Sequence, residues 1–479
     1  MWFRLDLRLA DNPALAHAAA RGEPVIPLFI RDDADAAHWR PGGASQWWLH
    51  GSLESLDRDL RARSGGQGLM LRTGCAEQVI ADVLAESGAR AIVWNSRYEP
   101  WAVRRDAGLK SALRAQGVEV RTFNAALLME PARFPDRPEG PYKVFTPFWR
   151  ALRAKAIPPP ACAKPARILP PASAPGSETL GDWRLRPSRP DWARGLAAEW
   201  SPGEPGAANR VEAFVDGAMR GYGAERNIPS GFGTSRLSPH LHFGEIGPWQ
   251  VWREVTTAAA AAFGDPFHPD AERFLAELAW REFSHHLLFH FTDMPTAPLK
   301  AEYSRFPWRD DEPALAAWRA GRTGYPIVDA GLRQLWSIGW MHNRVRMIAA
   351  SFLIKHLLID WRRGEEWFWD TLVDADLANN SASWQWVAGS GADAAPYFRI
   401  FNPVSQGLRF DPDGAYVRAW VPELARLPSA VIHAPWTASV AQLEEAGVRL
   451  GADYPRPWVD HALARARALE AYGRIKATA

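Results

Sequence analysis

The sequence predicts an N-terminal α/β domain with a doubly wound parallel sheet and a C-terminal all-α domain. At 479 residues the chain is too long for one ordinary hydrophobic core, so two domains are expected. Short apolar runs of strand length alternate with helical periods over residues 24–122, whereas helical periods alone continue after Arg210. A proline-rich stretch separates these two patterns.

The α/β prediction depends on four apolar runs of strand length, which are PVIPLFI (24–30), GLMLRT (68–73), AIVWN (91–95) and VEVRTF (118–123). Between them, leucines at 49, 53, 56 and 60 and apolar residues at 79, 83 and 84 recur at helical spacing. Strands that alternate with helices form a parallel sheet. No GxGxxG motif follows the first strand, so no dinucleotide site is predicted in this half.

Prolines cluster between residues 158 and 175, and this density stops both helices and strands. We therefore predict a connector that runs over the surface, with one short helix near 146–155. The predicted division is 1–124 for the α/β domain, 125–209 for the connector and 210–479 for the helical domain. The last helix is expected at 459–475.

Composition excludes several classes of protein. Apolar residues make up 47% of the chain and charged residues 23%, which is typical of a globular protein. The formal charge of +2 indicates no chain-wide basic surface, so nucleic-acid binding would need a local one. Two cysteines, no secretory leader and no apolar run of 18 residues predict a soluble protein of a reducing compartment.

The stretch 374–403 has the densest group of special residues. It contains two carboxylates (Asp374, Asp376), an amide pair that ends at Asn380, and two tryptophans (Trp384, Trp386). Buried carboxylates and amides are costly without partners, so their concentration beside large aromatics predicts a polar ligand enclosed by apolar walls. For any one of these residues alone, a capped loop between core helices explains the pattern better.

Three other segments could carry chemistry. GFGTSRLS (231–238) offers hydroxyls, backbone N–H groups and an arginine before a helix, which suits a diphosphate or a simple N-cap. Glu277, Trp280 and Arg281 share one helical face, as a surface ion pair or as a stacking platform beside a carboxyl. WMHNRVRM (340–347) mixes basic and apolar residues, which suits an unstacked nucleic-acid base or a solvated helix end.

A metal site is not expected. His286 and His290 are four apart, but no Glu general base lies between them and no third ligand is evident. These histidines, with His285, are interpreted as core or capping residues.

Taken together, the motifs resemble those of the photolyase/cryptochrome family, and most closely microbial photolyases that repair cyclobutane pyrimidine dimers. The resemblance runs nearly end to end: WFRLDLRLADNPAL, GTSRLSPHLHFGE, LAWREF, TGYPIVDAGLRQLWSIGWMHNRVRM and DADLANN…WQWVAGSGADAAPYFRIFNP. It implies FAD in the helical domain. The positions that match flavin contacts are Tyr222, Thr234, Ser235, Arg236, Leu237, Ser238, Phe274, Glu277, Arg281, Asn343, Arg346, Asp374, Asp376 and Asn380.

The resemblance also implies catalytic roles. Asn380 matches the residue that faces flavin N5, where plant cryptochromes carry Asp, so the amide favours a repair enzyme. Glu277 matches the carboxyl that hydrogen-bonds the carbonyl oxygens of the dimer. The tryptophans that match the family's electron relay are Trp308, Trp361 and Trp384, and they account for part of the unusually high count of 25 tryptophans.

DNA that contains a pyrimidine dimer is the implied partner. The apolar walls around a flipped-out lesion match Trp280, Met341, Met347 and Trp386, and the positions near DNA phosphates match Arg226, Asn343, Arg344, Arg399 and Gln406. A damaged base pair stacks poorly, so its extrusion costs little. The expected protein is a monomer of the bacterial cytoplasm, associated with the nucleoid, with no membrane or metal partner.

The activity implied is light-dependent dimer repair by electron transfer from photoexcited reduced FAD. The alternative is a cryptochrome-type blue-light receptor with the same FAD site. Three features depart from the family pattern. Family members have apolar residues before WFR, so either the start is misassigned or the central strand is incomplete. RYEPWAVRRD (97–106) lacks an expected Asn-Glu pair, which leaves the antenna pigment, methenyltetrahydrofolate or a deazaflavin, open. WMHN differs from the histidine-rich segment of six-four lesion enzymes and so favours the cyclobutane lesion.

Overall fold

The chain folds into two units, which a computed structural model describes over residues 1–33, 36–134, 138–393 and 398–477. The first unit comprises Met1–Arg220, Ser235–Thr292 and Val373–Ala378. The second unit comprises Gly221–Thr234, Asp293–Leu372 and Asn379–Ala479. Each unit is therefore assembled from segments that are distant in the sequence.

The first unit contains a five-stranded parallel sheet. Its strands are β1 (Trp2–Phe3), β2 (Leu28–Arg31), β3 (Met70–Thr73), β4 (Ala91–Asn95) and β5 (Glu119–Phe123). They lie in the order β3-β2-β1-β4-β5, and every pair is parallel. This is a doubly wound sheet, so the predicted fold class of the N-terminal part is confirmed. The four apolar runs lead into or form β2 to β5.

The two-residue strand β1 occupies the centre of the sheet. Trp2 pairs with Leu28 on one side and with Trp94 on the other. The Trp2 and Trp94 rings meet edge to face, with centroids 5.7 Å apart. Both rings lie in the apolar core that β2 to β5 share with the helices around them. Large apolar side chains thus anchor a strand that contributes few ladder hydrogen bonds.

Helices of the first unit cover this sheet and continue beyond it. They are α1 (Pro13–Ala20), α2 (Gly43–Ser64), α3 (Ala76–Ser87), α4 (Pro100–Ala115), α5 (Phe145–Lys155), α6 (Arg194–Glu199) and α7 (Glu204–Ala213). After α8 (Tyr222–Glu225), which belongs to the second unit, come α9 (Ser238–His242), α10 (Pro248–Phe263) and α11 (Pro269–His290).

The second unit is helical in its described residues. Its helices are α12 (Glu312–Arg319), α13 (Pro326–Ile338), α14 (Asn343–Ser351), α15 (Trp361–Thr371), α16 (Leu377–Ala388), α17 (Pro403–Phe410), α18 (Ala415–Trp420), α19 (Ser429–Ile432), α20 (Val440–Ala446) and α21 (His461–Ala477). Helix α16 begins in the first unit and continues in the second. π-helical turns occur at Phe214–Ala218 and Phe352–His356. The predicted all-α class is confirmed, and the last helix begins two residues later than predicted.

The connector 125–209 partly follows its prediction. Helix α5 confirms the short helix expected near 146–155, and no helix or strand forms over residues 157–179. The expectation of a single helix was wrong, because α6 and the first turns of α7 also lie before Arg210. Pro205 occupies the first turn of α7, where a missing N–H group costs nothing, so this proline starts a helix instead of ending one.

The apolar stripe of α11 is confirmed in detail. Leu275, Leu278, Phe283, Leu287 and Leu288 are all buried. Apart from the adjacent pair Leu287 and Leu288, these residues are three to five positions apart, as expected for a helix that packs into a core. Among the described residues, no helix is both long and apolar enough to cross a membrane.

Candidate functional site

The segment 235–238 of the first unit is held by two carboxylates. Arg236 has a positive φ of 52°, a conformation that non-glycine residues rarely adopt, and its guanidinium pairs with Glu199. Ser238 Oγ donates to Asp374 Oδ2 at 2.6 Å. Backbone strain of this kind persists where the surroundings enforce it, and it concentrates at ligand sites. Leu237, within the same segment, is buried.

A polar cavity lies where the chain leaves β1, β4 and β5. It is lined by Leu5, Asp6, Asn95, Ser96, Arg97, Tyr98, Glu99, Ala125, Ala126, His242, Arg281, His285 and Asp376. The strand order reverses at β1 and β4, and open α/β sheets bind ligands outside the carboxyl ends of the strands at such a point. The first unit therefore offers a cavity with charged lining residues at the position that its topology favours.

Asp376 is the central charge of this cavity. His242 Nδ1 and His285 Nε2 each lie 3.5 Å from Asp376 Oδ2. Burial would raise the pKa of Asp376, but His285, His242 and Arg281 outweigh it and hold that pKa well below its usual range. Burial also lowers the pKa of His285. At neutral pH the site therefore combines an ionised carboxylate with a neutral imidazole.

A second carboxylate of the cavity is paired with arginine. Glu99 forms an ion pair with Arg97. Burial acts to raise the pKa of Glu99, but the charge and hydrogen bond of Arg97 lower it to about 2. Glu99 therefore remains ionised throughout the physiological range.

Helix α11 presents Glu277, Trp280 and Arg281 as the sequence predicts, on one face of a 22-residue helix. Arg281 does not pair with Glu277: its Nη1 donates to the carbonyl of Ala126 at 2.7 Å and lies 3.3 Å from Glu282. Trp280 stacks face to face on Phe145, with ring centroids 3.8 Å apart and planes 6° from parallel. The face therefore carries an aromatic platform beside a half-buried carboxyl, as one of the two interpretations proposed.

Phe274, one turn before Glu277, is buried against Phe214 with ring centroids 4.2 Å apart. The α11 histidines have structural contacts: His286 Nε2 accepts from Tyr142 N at 3.1 Å, and His285 Nδ1 lies 2.9 Å from Arg281 O. Within the described residues, no group of three or more His, Cys, Asp or Glu side chains could hold a metal ion.

In the second unit, α16 carries Asn380 and Trp384 four residues apart, hence on one face. Asn380 is buried, and its Nδ2 donates to the carbonyl of Glu365 at 3.0 Å. The Trp384 ring meets Phe368 edge to face at 5.0 Å and Trp318 at 6.3 Å. Residues of α15 and α12 thus set the orientation of both side chains.

Trp361 and Trp308 lie along the same part of the second unit. Gly364 is one turn after Trp361 in α15, and a Cβ atom at Gly364 would fall 2.1 Å from Trp384 Cη2. The Trp384 ring therefore presses on the helical face to which Trp361 belongs. Trp308 is half-buried and follows Phe306, with ring centroids 4.3 Å apart, and the next residue, Arg309, donates its N–H group to Leu358 O at 2.7 Å.

The segment 340–347 is more buried than a solvated helix end. Trp340 and Met341 are buried, Met347 is half-buried, and Asn343 is exposed at the start of α14. Arg346 Nε donates to Met341 O at 2.7 Å. Arg344 Nη2 donates to Asn227 Oδ1 at 2.7 Å and its guanidinium lies 4.5 Å from the Phe410 ring. Neutral groups thus contribute to fixing the orientation of both arginines.

The other predicted positions of the second unit are spread over four segments. Tyr222 is buried in α8 beneath the guanidinium of Arg226 at 5.4 Å, and Thr234 is half-buried at the end of the next loop. Trp386 Nε1 donates to Asp393 O at 3.1 Å. Arg399 is exposed and Gln406 is half-buried in α17. Residues 394–397 of the stretch 374–403 lie outside the described residues.

Sequence reasoning missed two residues that shape the second unit's site. Glu365 is fully buried, accepts from Ser381 Oγ at 2.5 Å, and has a pKa that burial raises well above its usual value. Lys355 is buried beside Arg399. A charged residue inside an apolar run is the signal that could have identified Lys355, whereas Glu365 stands among polar residues and gives no such signal.

Comparisons with known proteins give a consistent result. A model described as the FAD binding domain of DNA photolyase matches residues 274–474, and a DNA photolyase model matches residues 1–166. A deoxyribodipyrimidine photo-lyase from Agrobacterium fabrum is 51% identical over 100% of this chain and 98% of its own length. Cryptochrome-1 of Arabidopsis thaliana is 40% identical over 99% of this chain and 70% of its own.

A solved structure is also similar to this chain throughout. The crystal structure of a bacterial class III photolyase from Agrobacterium tumefaciens superposes with a TM-score of 0.95 at 51% identity. It covers 99% of this chain and 97% of that one.

Proposed function

The chain belongs to the photolyase/cryptochrome family, and on that premise we propose that it is a deoxyribodipyrimidine photo-lyase that repairs cyclobutane pyrimidine dimers in light. The observation that carries the proposal is Asn380. A neutral amide, held by its bond to Glu365 O, stands four residues before the buried Trp384 on one face of α16. An amide can hydrogen-bond an anionic flavin without adding charge, whereas the Asp of plant cryptochromes cannot.

The cofactor is FAD, and the side chains of the site fit it. The hydroxyls, N–H groups and arginine of 234–238 are the donors that a diphosphate needs. The backbone of Arg236 already has the positive φ that shapes this loop. Asp374 and Asp376 are acceptors, which suits the N–H groups of a flavin and its adenine. Reduced FAD, when bound, supplies the light absorption and the electron that opens the cyclobutane ring.

Four further residues are proposed to hold FAD. Tyr222, Phe274, Asn343 and Arg346 contribute aromatic, amide and cationic groups. Phe274 is already fixed by Phe214, and Arg346 by the carbonyl of Met341, so neither side chain needs to be ordered when the cofactor binds.

The lesion is received by apolar walls and one carboxyl. Trp280, stacked on Phe145, forms a rigid platform for an extruded dimer, and Trp386, Met341 and Met347 complete the apolar contact. Glu277 hydrogen-bonds the carbonyl oxygens of the dimer from the same face of α11 as Trp280. Rigid aromatic surfaces lose little conformational entropy on binding, which favours the flipped-out state.

The tryptophans supply a separate function. Trp384, Trp361 and Trp308 relay electrons from the surface toward oxidised flavin, so that the protein can regain its active reduced form. Trp384 and Trp361 are buried and Trp308 is half-buried, which is the gradient of exposure that a relay to solvent needs.

DNA is bound through a local basic surface. Arg226, Arg344 and Arg399 supply charge, and Asn343 and Gln406 supply neutral hydrogen-bonding groups. Phosphate contacts position the duplex and make affinity depend on salt. The remaining proposals follow the family: a monomer, associated with DNA in the bacterial cytoplasm, with domains 1–124 and 210–479 joined by 125–209. A second pigment, a folate or a deazaflavin, would stack on Trp101 of α4.

One illumination experiment tests the function. The FAD-loaded, reduced protein is mixed with a duplex that carries a single thymine dimer, exposed to blue light, and the remaining dimer is measured by chromatography. Light-dependent loss of the dimer, absent in the dark, supports the proposal. Binding without repair would identify a cryptochrome-type receptor instead.

A further inference from the structure

Lys355 is a buried cation that the proposed mechanism does not use. It lies in the π-helical turn Phe352–His356 and is 4% exposed. π-helical turns are rare and frequently occur at functional sites. A buried ammonium costs several kcal/mol unless it is paired, so the position calls for a physical reason.

Every described contact of Lys355 Nζ leads to the segment that carries Arg399. The ammonium donates to the carbonyl of Arg399 and lies 4.7 Å from the centroid of the Phe398 ring. Phe398 is in turn stacked on Tyr472 of α21, with centroids 4.6 Å apart and planes 11° from parallel. Two residues after Arg399, the backbone N–H of Phe401 donates to the buried Ser351 Oγ at 3.5 Å. The segment 398–401 is thus fastened to the end of α14 and the turn that follows it.

Among the described residues, the charge that acts on Lys355 is positive. Arg399 is the charged group of the described chain that acts on it, and this action is repulsive. His356 on the same turn has a pKa that burial lowers to about 3, and it faces His461, whose pKa burial also lowers. Arg467 of α21 donates to His356 O, and Tyr472 lies behind Phe398. The carbonyl dipole and the aromatic face therefore stabilise the ammonium without a carboxylate.

We propose that Lys355 is a positioning residue, which fixes the backbone at Arg399 so that this exposed guanidinium meets a DNA phosphate. The same phosphate offsets the positive charge of Lys355. The inference rests on the proposed DNA-repair function. A phosphate beside Arg399 cancels the repulsion that Lys355 experiences, so DNA binding stabilises the protonated lysine.

The proposal has a pH signature. Burial, with repulsion from Arg399, lowers the pKa of Lys355 to about 7 in the free protein. Bound phosphate raises that pKa, so the contribution to affinity is fully present below about pH 7 and is lost as the pH rises through the value of the bound state. If the pKa of Lys355 rises by about one unit on binding, the affinity changes by at most about tenfold between low and high pH. We therefore expect dimer DNA to bind roughly three- to tenfold more weakly at pH 8.5 than at pH 6.5.

The test measures anisotropy of a fluorescein-labelled duplex with one thymine dimer, from pH 6.5 to 8.5, in the FAD-loaded protein. Lys355→Met is expected to bind as weakly at pH 6.5 as the wild type does at pH 8.5, with a flat profile. Lys355→Arg, which stays charged, is expected to bind with a flat profile near the stronger affinity. Lys300→Met is the matched control, because Lys300 Nζ also donates to a backbone carbonyl, that of Gly389 at 3.1 Å.

The possible outcomes separate the two proposals. If Lys355→Met weakens binding but keeps the wild-type pH slope, the lysine is only structural and the inference is overturned. If Lys355→Met does not retain flavin, calorimetry of wild type and Lys355→Arg in buffers of different ionisation enthalpy decides: proton uptake must occur in the wild type and disappear in the arginine variant. A wild type that neither binds nor repairs dimer DNA would refute the repair function itself.

Discussion

Gly364→Ala is expected to destabilise the second unit and to disturb the electron relay together. A Cβ atom at residue 364 would lie 2.1 Å from Trp384 Cη2, 2.6 Å from Trp384 Cζ3 and 2.7 Å from Leu353 Cδ2. All three separations are far below van der Waals contact, and the indole is enclosed by Trp318 and Phe368. The Trp384 ring must therefore shift as a whole, and this shift changes its alignment with Trp361, its neighbour in the proposed relay.

The magnitude follows from two opposed effects. Glycine to alanine inside a helix stabilises by about 1 kcal/mol through helix propensity. Overpacking of a close-packed core costs about 1–3 kcal/mol, and a 2.1 Å approach to a buried indole belongs at the upper end of that range. We therefore expect a net loss of about 2 kcal/mol in the free energy of unfolding, or a melting temperature lower by roughly 4–8 °C.

The assay pairs thermal unfolding with photoreduction. Gly364→Ala is compared with Gly473→Ala in α21, where an added Cβ would meet nothing within 4 Å and should stabilise slightly. The rate of photoreduction of oxidised flavin should fall in Gly364→Ala, while repair by chemically reduced enzyme persists. A Gly364→Ala protein as stable as the Gly473→Ala control would refute the packing argument.

Three further predictions test individual roles. Trp384→Phe should block flavin photoreduction and leave prereduced enzyme able to repair, as judged by absorption changes under blue light and by dimer loss; equal loss of both would remove Trp384 from the relay. Glu277→Ala should lower the repair yield per photon more than it weakens DNA binding, and an unchanged yield would take Glu277 off the catalytic face. Burial, with repulsion from His290, lowers the pKa of His286 to about 3, so the unfolded chain binds a proton near pH 6.5 that the folded chain refuses, and stability should fall as the pH drops from 6.5 toward 4. His286→Gln should flatten this dependence in urea titrations at pH 7, 5.5 and 4.5, and a slope identical to that of the wild type would contradict the assignment.

Local pattern predicted much of the architecture. The apolar runs at 68–73, 91–95 and 118–123 contain β3, β4 and β5, because apolar and β-branched side chains favour strands that pack against a core. The face shared by Glu277 and Trp280 followed from helical spacing alone. In the connector 125–209 the same reasoning predicted a single helix and so missed α6 and the start of α7, where Pro205 occupies the first helical turn that proline tolerates.

Partners distant in the sequence could not be predicted in this way. The spacing of Glu277 and Arg281 suggested an ion pair, yet Arg281 bonds Ala126, which lies 155 residues away. Lys355 and Arg399 are separated by 44 residues, and no periodicity connects them. Such contacts depend on which loops the fold brings to a helix, and short-range spacing contains no information about that choice.

The sequence by itself determined which residues are helical neighbours, as with Glu277 and Trp280, and which apolar side chains form cores. The tertiary structure alone decided the charge that buried acids carry. Asp376 and Glu365 are both buried carboxyls, but histidines and Arg281 around Asp376 lower its pKa, whereas burial dominates at Glu365 and raises its pKa. The reason is that a buried charge is stabilised by the groups that surround it in space, and those groups come from segments that the order of residues keeps far apart.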